Sequence, residues 1–260
     1  VVDRERLTSH IKSPEMMIKI RKLIDKAEIA VDKHLVLDSD YLDPFERQTA
    51  KAIFRSIPGL GFIEAGGPEN SERKFFLMFP DYMSQNDFNG KSSYLEIAGD
   101  IDSLDHRDFL GSLIGMGIKR EKLGDIYILE GSAVVCTKNE IADYLLMNLE
   151  KVGKIKVKCS ILQTDQIVIP EQEYDLKNLF VASERLDAIL GAAYRLSRSE
   201  SKLKIESGDV KVNWAQILKS SHELEPGDII SVRGFGRVLY HDRLGISKKG
   251  RLNIALKIYK

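Results

Sequence analysis

The chain is poor in the residues that staple or metallate small folds. Its 260 residues hold two cysteines, one tryptophan and five histidines. Cys136 and Cys159 each sit in a strand-like run, far apart, with no Cys-x-x-Cys or histidine at ligand spacing. That argues against a disulfide framework and a zinc ribbon and points to buried free thiols. No stretch of about 18 uninterrupted apolar residues occurs, so no membrane-spanning helix is expected, and Val1-Val2-Asp3-Arg4 lacks the opening of a signal peptide. The expectation is a cytoplasmic protein with no membrane partner, no metal and no cofactor. Catalytic signatures are missing as well. There is no Gly-x-Ser-x-Gly and no Walker loop, and Gly234-Phe235-Gly236 lacks the third glycine of a dinucleotide loop. His106-Arg107-Asp108 copies the start of a kinase catalytic loop, but Leu113 stands where the magnesium-binding asparagine belongs. No catalytic residue is assigned. Net charge is also absent, with 39 Lys+Arg against 39 Asp+Glu.

Apolar residues make up 43% of the chain, enough for ordinary cores in two or three domains. Pro14 is placed to start a helix through Met17, Ile20, Leu23, Ile24, Ala27 and Val31, and Pro44 another through Ala52, Ile53 and Ile57. The acidic segment 38–43 between them lacks the glycine and terminal glutamate of a calcium loop and reads as a linker and helix cap. Residues 61–65 and 74–79 read as a long β-hairpin, with Phe75, Phe76 and Phe79 more at home in a core than against bases. From Tyr94 to Cys159 the order is strand, helix, strand, strand, helix, strand, the ferredoxin-like order also used by RNA-recognition motifs. Such motifs stack bases on aromatics of their central strands, and here Tyr94 is the one aromatic on offer. Within this region Gly111, Gly115 and Gly117 are expected to admit close backbone approach, and Asp108 to pair with Arg107 or Lys119.

The neutral total hides a dipolar chain. Residues 180–260 carry 15 Lys+Arg against 9 Asp+Glu, a net of +6, and the other 179 residues carry 24 against 30, a net of −6. A basic domain gains by releasing condensed counterions on meeting a polyphosphate. Behind a serine cap at Ser183, Leu186, Ile189, Leu190 and Ala193 recur at helical spacing. Ser197-Arg198-Ser199 opens a second helix with Leu203 and Ile205 as its apolar positions, ending at Gly208. Residues 210–213 alternate as a strand, and Glu225-Pro226-Gly227-Asp228 is a turn into a second strand. Residues 238–260 read as a terminal hairpin with a cationic tip at Lys248 and Lys249. Ahead of this module, Pro170 and the acidic residues around it suggest a linker.

Arg185-Leu186-Asp187, Ser197-Arg198-Ser199, Ile205 with Gly208, Val210 with Val212-Asn213, and Pro226-Gly227-Asp228-Ile229-Ile230 resemble the S-four-type RNA-binding domain. Trp214 is a departure, because the wider superfamily most often has glycine after the asparagine. The run from His106 to Ile126, together with this module, resembles the YlmH family of bacterial proteins over nearly the whole chain. The resemblance implies a central RNA-binding domain, cytoplasmic location, and association with the ribosome or its RNA, linked to cell division or to clearing stalled chains from large subunits.

The expected fold is α+β. A helical N-terminal domain with a β-hairpin (1–82) precedes a ferredoxin-like, RRM-like domain (83–165), a linker (166–179) and an S-four-type α/β RNA-binding domain (180–260). The expected function is non-catalytic recognition of structured rRNA or tRNA. Arg185, Ser197, Arg198, Ser199, Lys202, Lys204, Lys211, Asn213, Arg233 and Arg237 are the expected contact residues, since arginine forks, lysines and hydroxyls suit phosphate. Arg107, Lys119, Arg120 and Lys122 would form a second patch. Two alternatives stand beside this reading. One is an RNA-modifying enzyme resembling pseudouridine synthases, with its aspartate among Asp100, Asp102, Asp105 and Asp108. The other is an adaptor whose acidic N-terminal half docks a protein while the basic end holds RNA.

Overall fold

The computed structural model describes residues 4–9, 11, 13–83, 92–163 and 173–259. The chain divides into two compact units, residues 1–170 and 171–260. The expected regions 1–82 and 83–165 therefore share one unit. Among the described residues no helix is long and apolar enough to cross a membrane.

The first unit opens with α1 (Arg4–Thr8) and α2 (Pro14–Asp32). Ser13 caps α2, and Pro14 sits at its first turn, where a missing N–H costs nothing. Ile20, Leu23, Ile24 and Ala27 bury one stripe of the helix. After β1 (Leu37–Asp38), α3 (Pro44–Phe54) starts at Asp43, which forms a reciprocal capping box with Glu46. The other acidic residues of this segment are also spent on structure, Asp38 on Lys138 and Asp40 on Lys122. Strands β2 (Leu60–Ala65) and β3 (Phe75–Pro80) complete an antiparallel sheet in the order β1-β3-β2. All six residues of β3 are buried. Its even positions, Phe76 and Met78, pack under α2 and α3, and its odd positions, Phe75, Leu77 and Phe79, pack with Tyr41 on the other face.

The ferredoxin-like region follows as β4 (Ser92–Gly99), α4 (His106–Gly115), β5 (Leu123–Leu129), β6 (Ser132–Lys138), α5 (Asn139–Asn148), β7 (Lys151–Val152) and β8 (Ile155–Leu162). The sheet order is β5-β6-β4-β8-β7, with β4 antiparallel to both neighbours. Leu95, Ile97, Val135, Phe109, Leu113 and Leu145 join the sheet's inner face to α4 and α5.

The outer face carries Tyr94, Val134 and Cys136, and all three are buried. The N-terminal elements close this face along β5. The Asp125 carboxylate accepts the backbone N–H groups of Glu72 (2.7 Å) and Arg73 (3.2 Å), and Tyr127 shares a hydrogen bond with Ser71. Arg73 donates to the carbonyls of Leu123 and Tyr41, and the Tyr41 hydroxyl donates to Gly66 O. Lys138 is buried with Asp38 at 2.7 Å and stands over the Phe75 ring. The platform on which an RNA-recognition motif stacks bases is thus an internal surface here, and Tyr94 belongs to it.

Two expectations around α4 are corrected. Beyond the local backbone, no atom lies within 4 Å of where a Cβ would stand on Gly111, Gly115 or Gly117, so these glycines do not mediate close packing. Gly117 has φ +86°, a conformation glycine adopts without strain just beyond a helix end. Asp108 pairs with neither Arg107 nor Lys119 but closes a capping box with Asp105.

The second unit contains β9 (Tyr174–Val181), α6 (Leu186–Tyr194), α7 (Arg198–Glu206), β10 (Val210–Val212), β11 (Ala215–Gln216), β12 (Ile229–Val232), β13 (Gly236–Ile246) and β14 (Leu252–Tyr259). They form one antiparallel sheet in the order β11-β10-β12-β13-β14-β9. Both helices pack on one face, where Leu186, Ile189, Leu190 and Ile205 meet Val210, Val212, Ile230, Val238 and Tyr240. Part of the expected 166–179 linker, residues 166–172, lies outside the described residues. Its C-terminal part is β9, which pairs with β14 along its whole length. Ser183 is not the cap of α6, since that position falls to Arg185 without a side-chain cap bond. Leu203 is 69% exposed and leaves Ile205 as the buried apolar position of α7.

Burial, and next the Asp125 charge, push the Cys136 thiol up to about 12. With Cys159 changed to serine, Cys136 is expected to react with a disulfide reagent at pH 8 no faster than the first unit unfolds. Rapid full labelling of the native protein would show that the outer sheet face is open.

Candidate nucleic-acid interface

The start of α6 has its backbone donors taken by a neighbouring loop. The Leu186 and Asp187 N–H groups donate to the carbonyls of His222 (2.8 Å) and Ser220 (3.2 Å). This places the Asp187 side chain, 6% exposed, beneath the loop. A carboxylate removed from water needs charged or hydrogen-bonding partners. Arg185 supplies them as a fork, Nε to Oδ1 at 3.0 Å and Nη2 to Oδ2 at 2.7 Å. Arg198 lies 3.9 Å away on α7, with its side chain 84% exposed.

Helix α7 is set by its own cap. The Ser197 hydroxyl accepts the Glu200 N–H, and the Glu200 carboxylate accepts the Ser197 N–H at 2.7 Å. The distance between the helices is held by Gly191, where a Cβ would come within 3.0 Å of the Leu196 carbonyl and 3.3 Å of the Ser201 hydroxyl. The result is a concavity of about 570 Å³ lined by Arg185, Asp187, Arg198, Ser199, Lys202 and Ser220. Three cations and one carboxylate line it; the carboxylate is already engaged, and Lys202 also lies 3.6 Å from Glu206 one turn along α7. Two hydroxyls stand alongside. Such a surface accepts phosphate oxygens through charge-assisted hydrogen bonds.

The family model described as "Putative RNA-binding domain in YlmH" matches residues 84–166. The ribosome-associated protein quality control protein P2 of Bacillus subtilis (strain 168) is 32% identical over 247 residues, covering 92% of this chain and 95% of that protein. The chain belongs to the YlmH family. A solved structure, the cell division protein ylmH from Streptococcus pneumoniae, has a TM-score of 0.52 at 23% identity. The match covers 61% of this chain and 96% of that one, and it bears on the fold alone.

In this YlmH-family protein the ten expected contact residues do not share one face. Arg185, Ser197, Arg198, Ser199 and Lys202 gather around the concavity or its helix cap. Lys211 and Arg237 are both in register with Ser231, on strands whose alternate residues Val210, Val212, Ile230 and Val238 are buried against the helices. Strand alternation therefore puts Lys211 and Arg237 on the opposite, outer face. Lys204 stands 4.7 Å from the centre of the Phe235 ring, and Arg233 lies 3.9 Å from Asp209. Asn213 is occupied by the fold, its amide donating to Asp228 (2.7 Å) and its carbonyl accepting the Ile229 N–H (2.9 Å).

The expected second patch does not assemble. Arg120 donates to the Leu123 and Gly124 carbonyls and is largely buried. Burial first, and then the Arg73 charge, lower its pKa to about 10. Lys122 is held by Asp40, leaving Arg107 and Lys119 as the two exposed members. Two contributors to the concavity had no place in the expected set. Asp187 is signalled by its spacing two residues after Arg185, whereas Ser220 enters through loop geometry with no local signature.

Hydrogen bonds from Ser197 hold the Glu200 carboxyl below the ordinary glutamate range. A lowered folded-state value means stabilisation that is present above the unfolded pKa and lost as pH falls through the folded one. Ser197→Ala is expected to cost about 0.5–2 kcal/mol in chemical denaturation at neutral pH. It should also shrink the acid-side loss of stability, read as the difference between the two denaturation midpoints across pH 3–7. Equal midpoints at neutral pH would show that the cap does not set α7.

Proposed function

We propose that this protein is a non-catalytic RNA-binding factor that engages structured rRNA or tRNA on the ribosome, with the concavity between α6 and α7 as its principal phosphate site. The observation that carries the reading is the convergence of Arg185, Arg198 and Lys202 around a buried, already engaged carboxylate. Family membership supports it, because the Bacillus subtilis relative is named a ribosome-associated quality control protein. A ribosome-bound role would place the protein in the cytoplasm.

Affinity would come from phosphate contacts, and discrimination from the shape of the RNA and its unpaired elements. Burial of the outer face of the central strands β4 and β6 favours the C-terminal unit as the contact surface. The non-catalytic reading draws on the use made of the aspartates proposed for chemistry: Asp105 and Asp108 cap α4 with each other's backbone. The remaining 179 residues, with a net charge of −6, would repel RNA and leave that half free for a protein partner.

The test is sedimentation of the full chain with purified large ribosomal subunits, beside a variant carrying Arg198→Ala and Lys202→Ala. The variant is expected to sediment less with subunits. Its logarithmic salt dependence should flatten by roughly 0.7–0.9 for each phosphate that is no longer neutralised. An unchanged salt slope with an intact fold would remove the concavity from the interface, and absence of wild-type association would remove the ribosomal reading.

A further inference from the structure

We infer that Trp214 is a stacking platform for an unpaired base of the bound RNA. The inference rests on the RNA-binding reading above and adds to it a second point of attachment on another face of the same unit.

Trp214 occupies a position that a tryptophan fits badly. Strands β10 and β11 are joined through Asn213 and Trp214, with φ +47° and +66°. These are the two left-handed positions of a type I′ hairpin turn, which asparagine followed by glycine adopts with least strain. A bulky residue there is a true outlier and marks a place where something other than backbone preference decides the side chain. Trp214 is half-buried at the turn, yet it lies outside the hydrophobic core of this unit. The hydrophobic residues buried in or packed against the core of this unit include Tyr194, Leu196 and Ile217 but not Trp214.

The ring's surroundings suit a nucleotide. The Arg237 guanidinium lies 6.0 Å from the ring centre, and Arg237 is in cross-strand register with Ser231, as is exposed Lys211. A base stacked on the indole would place its flanking phosphates near these cations. The turn is also rigid before any RNA arrives, because Asn213 ties it to Asp228 and Ile229 through both ends of its amide. An aromatic ring on a pre-ordered turn loses little freedom on binding.

The location joins the two attachment points. β11 is the edge strand of the sheet, and the chain leaving it reaches Ser220 of the concavity within about 20 Å of extended backbone. RNA held at the concavity can pass round that edge to Trp214.

The protein's single tryptophan makes the test direct. Intrinsic fluorescence is followed while the full chain is titrated with bulk tRNA, deproteinised rRNA, or a blunt RNA duplex without unpaired bases. Quenching that tracks binding is expected for tRNA or rRNA and not for the duplex. Trp214→Gly should melt no lower than wild type, since glycine relieves the turn, yet bind roughly 5- to 150-fold more weakly, the span expected for removing one base stack. Trp214→Phe should recover part of that affinity. Unquenched fluorescence at saturation, equal quenching by the duplex, or undiminished affinity of Trp214→Gly would overturn the assignment of Trp214 while leaving the concavity standing. Failure of wild type to bind either natural RNA would overturn the RNA-binding reading itself.

Discussion

A carboxylate deprived of water has to be met by positive charge, and in the C-terminal unit that requirement falls on Asp187. Left unpaired at that depth, it would cost on the order of several kcal/mol. The Arg185 fork resolves the problem, and in doing so it fixes a guanidinium at the mouth of a concavity instead of letting it wander in solvent. Arg198 then approaches the same carboxylate from α7, at a separation set by how closely Gly191 lets the two helices meet. One buried negative charge thereby organises several exposed positive ones. Cations ordered in this way lose less entropy on meeting phosphate than the same residues scattered over a helix surface.

The N-terminal unit illustrates how little a topology says about use. Its ferredoxin-like sheet has the strand order of an RNA-recognition motif, but Asp125, Tyr127 and Arg73 bolt the hairpin region onto the face that such motifs leave open. The same charged and aromatic residues that could have read an RNA strand are consumed as internal joints. Arg120 is the clearest instance, since its donors point at backbone carbonyls and its environment disfavours its own charge.

Much of this was legible because some signals are local. The starts of α2 and α3 follow from proline behind a capping residue, and the ferredoxin-like order follows from the alternation of periods. The basic surplus after residue 180 is a matter of counting. Signals that depend on a distant partner were not legible. β9 looks like linker because Pro170 and acidic residues precede and open it, and it becomes a strand because it pairs with β14 along its whole length. Leu203 faces solvent because it stands two residues from Ile205, about 200° round the helix, so burying one exposes the other. Asn213 and Arg233 are polar residues of the expected kinds, but a turn and an aspartate nearby already claim them. Within the candidate site the cations were foreseeable from their type and frame. Asp187, in the same Arg185-Leu186-Asp187 run, stayed outside the expected contacts because its importance arises from burial, which no single position announces.

The place of β14 has a consequence for how the C-terminal unit comes into being. It lies between β13 and β9, and among the described strands β9 pairs with it alone. The first strand of the unit must therefore wait for the last, across both helices and the whole intervening sheet. Pairing of such long sequence separation is slow to form and leaves two strand edges bare in the meantime. Completion of the fold, and with it protection from edge-to-edge association, arrives in a single late step.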